Sequence, residues 1–139
     1  MTDPDAALAA AVAGEDAAIY AYGVIGPHLI GADRLLAEQA ETAHRNLRDE
    51  VTEAMPSPPA ASVIYQMPFP VTDAATALAA AVTVEQRSSA LWRAAVAATT
   101  GPPRQASLTA LIDGAVRTAA FRRAAGAYPG TVPFPGLSA

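Results

Sequence analysis

The chain has 139 residues, 52% of them apolar, and a net charge of −4; it contains three Phe, four Tyr, one Trp and no Cys. That length suits one domain with one core. The lack of cysteine excludes disulfide scaffolds, thiolate metal sites and cysteine nucleophiles. No basic run is present, so phosphate-driven nucleic-acid binding is not expected, and the wealth of Ala over aromatic and β-branched residues favours closely packed helices.

A first helix is predicted from Asp3, with Asp3 as N-cap, Pro4 in the first turn and Asp5 placed against the helix dipole. Its buried stripe reads Leu8, Val12, Glu15, Ile19, Tyr22, and Ile30–Gly31 is the turn. A second helix follows over 32–54, with Leu36, Ala40, Leu47 and Val51 on one side. Met55-Pro56 ends it, because a residue before proline avoids the α region. Residues 56–71 carry five prolines (Pro56, Pro58, Pro59, Pro68, Pro70) and are read as a stiff crossover, long for a connection in a compact domain.

Thr72 or Asp73 caps a third helix reaching Thr99, with the stripe Leu78, Val82, Glu85, Ser89, Trp92, Val96. Gly101-Pro102-Pro103 is read as a turn and a fourth helix as running over 104–125, stopped by Gly126 and Pro129. Residues 127–139 form an extended strap whose V-P-F-P echoes the M-P-F-P of the crossover. The expected architecture is therefore all-α: one antiparallel four-helix bundle over 1–139, with its long crossover between helices two and three. Glu15 and Asp16 interrupt the first membrane-spanning candidate and Glu85 to Arg87 the second, and the M-T-D-P-D start opens no signal-type apolar region. A cytoplasmic protein is expected.

Glu15 and Glu85 each sit inside an apolar stripe, where a lone carboxylate is costly unless paired or metal-bound. Glu41 and His44 are spaced i, i+3, which puts a carboxylate and an imidazole on one helix face. Heights agree as well. Glu15 lies about 15 residues before its turn and Glu41/His44 about 10 to 13 after it, at roughly 1.5 Å per residue. In the second hairpin Glu85 and Asp113 are level in the same way, and Val116 stands where a second i, i+3 histidine would be.

This order of Glu, Glu-x-x-His, Glu and Asp-x-x-Val resembles the ferritin-like di-iron carboxylate fold. The segments E-D-A-A-I-Y-A-Y-G-V-I-G from Glu15, A-H-R-N-L-R-D from Ala43, P-F-P-V-T-D from Pro68 and the terminal P-G-T-V-P-F-P-G-L also resemble ferritin-like domains of unassigned function, the DUF4439 type. The resemblance implies a ferritin-like bundle with no established reaction. It makes Glu15, Glu41, His44, Glu85 and Asp113 candidate metal ligands, while Val116 departs from the pattern and leaves a single-metal or asymmetric site. An oxygen-rich set with one imidazole suits iron or manganese.

The alternative is a non-catalytic helical module with a degenerate site. There Glu15, Glu85 and Asp113 pair with Arg48, Arg87 or Arg117, and an arginine fills the space a metal needs. Arg117 is level with Glu85, and Tyr22 is placed to hydrogen-bond a buried carboxylate. Trp92 is read as packing and His28 as a surface or capping residue. A homodimer is the expected assembly, with Phe69 and Phe134 on the straps available to dock a partner. No nucleophile elbow or phosphate-cradling loop is present, so whether the chain is an enzyme stays undecided at this level.

Overall fold

The computed structural model describes residues 3–62 and 64–137, and among these four long helices and no strand form. They are α1 (Pro4–Ile25), α2 (Gly31–Ala54), α3 (Ala74–Ala98) and α4 (Gly101–Ala124), with a 3-10 turn over Gly26–His28. The bundle and its long crossover between α2 and α3 agree with the sequence reading.

Capping sets the helix starts. The Asp3 carboxylate accepts from the Asp5 amide at 3.0 Å, and Asp73 and Thr76 form a reciprocal capping box at the head of α3. The two hairpins turn alike. A buried residue (Leu29 or Thr99) is followed by an extended one (Ile30 or Thr100), and then by a glycine at positive φ, Gly31 at 58° or Gly101 at 61°. Gly101-Pro102-Pro103, expected as a turn, belongs to α4. Proline's fixed φ suits a first helical turn, where its missing N–H goes unused.

α3 packs against both α1 and α4, and α1 against α2, whereas α2 and α4 barely touch. Small residues permit the close approaches. A Cβ on Gly14 would collide with Leu91 Cδ1, and one on Gly114 would stand 2.8 Å from Ser89 Oγ. The crossover covers one end of the core with Met67, Phe69 and Val71, and Tyr65 stacks on Tyr20 at 5.4 Å. The tail folds back over α3 and α4: Arg122 donates to the Pro129 carbonyl at 2.7 Å, and Gly136 lies against the backbone of Ser89.

The helical run Pro4–His28 is long and apolar enough to cross a membrane by length and composition, contrary to the interruption expected at Glu15 and Asp16. Half of its most apolar window is buried against the other helices, as in a core helix.

The apolar core is divided. One cluster centres on Tyr22, Ile25, Leu29, Leu78, Val84 and Phe121, and the other on Leu8, Val12, Val51, Trp92 and Ala95. The fully buried Glu15, His44 and Glu85 belong to neither cluster.

Candidate functional site

His44, on α2, is the centre of a buried polar layer. Its Nδ1 meets Glu15 Oε2 from α1 at 2.5 Å, and its Nε2 meets Glu85 Oε1 from α3 at 2.8 Å. All three side chains are 0% exposed. A carboxylate only accepts, so with both glutamates ionised the ring donates from both nitrogens and is an imidazolium. Burial alone would lower the imidazole pKa. Hydrogen bonds and charges from Glu15 and Glu85 override it and raise the value from 6.5 to about 9.

Each carboxylate has further donors. Glu15 Oε1 accepts from Trp92 Nε1 at 2.6 Å and from Ser88 Oγ at 3.0 Å, both on α3. Glu85 Oε1 also accepts from the Tyr22 hydroxyl at 2.6 Å, and Oε2 accepts from Arg117 Nε of α4 at 3.0 Å. Burial opposes the Glu85 charge, but the His44 and Arg117 cations and the Tyr22 hydroxyl hold its pKa below the ordinary range. Burial, reinforced by Glu85, pushes the Tyr22 phenol well above its usual value, so it remains a donor. The core charges are two carboxylates, one imidazolium and one guanidinium, which sum to zero.

Of the five residues singled out from the sequence, Glu15, His44 and Glu85 converge and Glu41 and Asp113 do not. Glu41 turns to Arg45 one turn along α2, at 3.3 Å, and is 32% exposed; Asp113 is exposed on α4. Among the described residues no group of three or more His, Asp and Glu is arranged to hold a metal ion. Two alternative partners are also settled. Arg117 pairs with Glu85 as its height implied, whereas Arg48 pairs with Asp16 and Asp49 instead of Glu15. Arg87 and His28 are exposed.

Ser88 and Trp92 were missed as polar partners. A signal existed: they follow Glu85 by three and seven residues on α3, and a buried Glu15 needs donors from a facing helix.

A family model described as a domain of unknown function, DUF4439, matches residues 7–139. The chain belongs to the DUF4439 family. Its fold is similar to the crystal structure of a conserved hypothetical protein, Rv2844, from Mycobacterium tuberculosis. The TM-score is 0.82 and the identity 34%, over 87% of this chain and 96% of that one. No curated protein matches the chain. As a DUF4439 domain, the chain is an all-helical protein of a family without an assigned reaction.

Proposed function

We propose that this DUF4439 domain is a metal-free, non-catalytic helical module whose core is joined by the His44-centred ion network. One observation carries the reading: all four carboxylate oxygens of Glu15 and Glu85, and both ring nitrogens of His44, are engaged by groups of the protein itself. The donor set does not fit a metal. A cation would have to displace the His44 proton and the Arg117 guanidinium together, and both already neutralise the carboxylates. Full burial of the trio also keeps substrate from it.

The network draws one charged group from each helix, Glu15, His44, Glu85 and Arg117, so it fixes the rotation of every helix at one level. Anaerobic incubation with ferrous or manganous ion, followed by desalting and elemental analysis, tests the reading. Less than a tenth of an ion per chain is expected. One or two ions per chain, lost in Glu85→Ala, would refute it.

Association with a second copy is the partner reading. Ile112, Val116, Val132, Phe134 and Leu137 are all exposed and line one cleft of about 1000 Å³ between α4, α3 and the tail, an apolar face of the kind that marks interaction sites. Light scattering after size-exclusion chromatography is expected to show a dimer that Ile112→Arg converts to monomer. A wild-type monomer at high concentration would remove this part of the reading.

A further inference from the structure

Charge is unevenly shared along the chain. Residues 1–73 carry eleven acids and three arginines, whereas residues 74–139 carry two acids and six arginines. Of those two acids, Glu85 is sealed in the core layer and Asp113 lines a separate groove, beside α2. The cleft of about 1000 Å³ between α3, α4 and the tail therefore lies in the positive half, and neither acid lines it. Its walls differ. α3 presents Thr83, Gln86 and Arg87 at helical spacing, and Arg87 forms no ion pair among the described residues. α4 opposes them with the apolar Ile112, Val116 and Ala119. The tail is a strap fixed at both ends. Arg122 donates twice to the Pro129 carbonyl, at 3.1 and 2.7 Å, and Gly136, at a φ of 81°, lies so close to α3 that a Cβ there would stand 2.7 Å from the Ser89 carbonyl oxygen. Between these points Phe134 lines the cleft at a φ of 52°, a strained conformation for a bulky residue and one that recurs at ligand clamps. Ser89 is also in the lining; it is 3% exposed, and its hydroxyl has no hydrogen-bond partner among the described residues.

We propose that this cleft binds a linear aliphatic carboxylate, its head group held by Arg87 and Gln86 and its chain laid along the apolar wall of α4 beneath the tail. Size and lining point to a small molecule. Such sites occupy about 300–1,000 Å³ and are mostly apolar with a few convergent polar groups, and this cleft matches both. Charge selects an anion, because the lining cation has no acid to neutralise it and the surrounding half is positive. One free guanidinium balances a monoanion, which a carboxylate is at neutral pH and a phosphate monoester is not, and its fork matches a carboxylate in two parallel hydrogen bonds. Shape selects a chain. The α3 wall extends from Thr83 to Ala90, about 10 Å at roughly 1.5 Å per residue, with apolar side chains of α4 facing its length. A molecule in this position covers Ile112 and Val116, so it competes with a second copy for the same face.

The inference goes beyond the second-copy reading, and separate measurements report on the two: calorimetry on the acid, light scattering on the assembly. Decanoate, kept below its micelle concentration, is titrated into wild type, Arg87→Gln and Arg45→Gln, and decanol into wild type. Wild type is expected to bind one decanoate per chain. Loss of the Arg87 charge should weaken binding about tenfold or more, and decanol should bind wild type as weakly. Arg45→Gln removes an exposed charge on α2 and should leave the affinity unchanged. Methyl NMR of the decanoate complex should show shifts at Ile112, Val116 and Val132 and none at Leu8 or Val12 in the far core cluster. Absence of decanoate binding would overturn the inference. So would an affinity that Arg87→Gln leaves unchanged, equal binding of decanol, or shifts centred on Leu8 and Val12. A monomer that binds decanoate would remove the second-copy reading alone, and a dimer that binds none would remove this inference alone.

Discussion

Glu15 and Glu85 are the same acid as Glu41, and close kin to Asp113, yet the first two are wholly buried while Glu41 is half-buried and Asp113 is exposed. What separates them is the rotation of each helix. On α1 and α3 the glutamates fall in the centre of the buried stripe, where they are tolerable only with a shared cation and a full set of donors. On α2 the buried positions are Ala37, Ala40, His44 and Val51, a narrow stripe that leaves Glu41 at its margin beside Arg45. On α4 the stripe is Ser107, Ala110, Gly114, Thr118 and Phe121, and Asp113 lies off it. Equal height along a bundle therefore does not make carboxylates equivalent. The same comparison explains why His44 dominates the layer: it is the one side chain that neutralises both buried acids at once.

That contrast predicts a graded series of stability changes. The largest is expected for His44→Ala, which strands two carboxylates in the core and should lower unfolding free energy by about 3–5 kcal/mol in urea titration. A loss below about 1 kcal/mol would mean that the acids find other partners. The pH profile comes next. The folded His44 pKa near 9 lies above the ordinary 6.5, so its contribution is complete below about 6.5 and lost as pH rises through about 9. Thermal midpoints should therefore fall across that window in wild type, and this component should be absent in His44→Gln. At the acid end, the lowered Glu85 pKa gives stability above the ordinary carboxylate range that is lost as pH falls through its folded value.

Trp92→Phe keeps most of the packing and removes one charged hydrogen bond to Glu15, for an expected loss of about 1–3 kcal/mol. Ser88 remains on that oxygen, so a loss as large as that of His44→Ala would show that the indole orders the whole layer. Glu41→Ala and Asp113→Ala close the series, each expected within about 0.5 kcal/mol of wild type. A large effect from either would erase the distinction between the acids inside the layer and those outside it.

Much of this fold was legible in the sequence because its punctuation is chemical. Asp3-Pro4, Met55-Pro56 and Asp73–Thr76 mark helix ends through side-chain caps or proline sterics, which are local and survive any tertiary arrangement. The start of α4 was read too late because two prolines after a glycine signal a turn and a first helical turn equally well. Within the site, spacing along each helix singled out Glu15, His44 and Glu85 as candidate metal ligands, and Arg117 as an alternative partner of Glu85; the structure brings the four together as ion pairs. Glu41 and Asp113 could not be sorted the same way, because residue counting gives height and leaves rotation to packing between helices. The polar use of Trp92 was hidden by its apolar bulk, since its N–H matters only once Glu15 is known to face it.

We propose a metal-free core in which His44 is a buried imidazolium shared by two carboxylates. Nitrogen-15 NMR of the His44 ring tests this most directly, recorded from pH 5 to 10 with and without one equivalent of zinc. Both ring nitrogens should carry the protonated shift, unchanged by zinc, until titration sets in near pH 9. A ring that is neutral at pH 7, or one whose Nε2 shift moves on adding zinc, would contradict it.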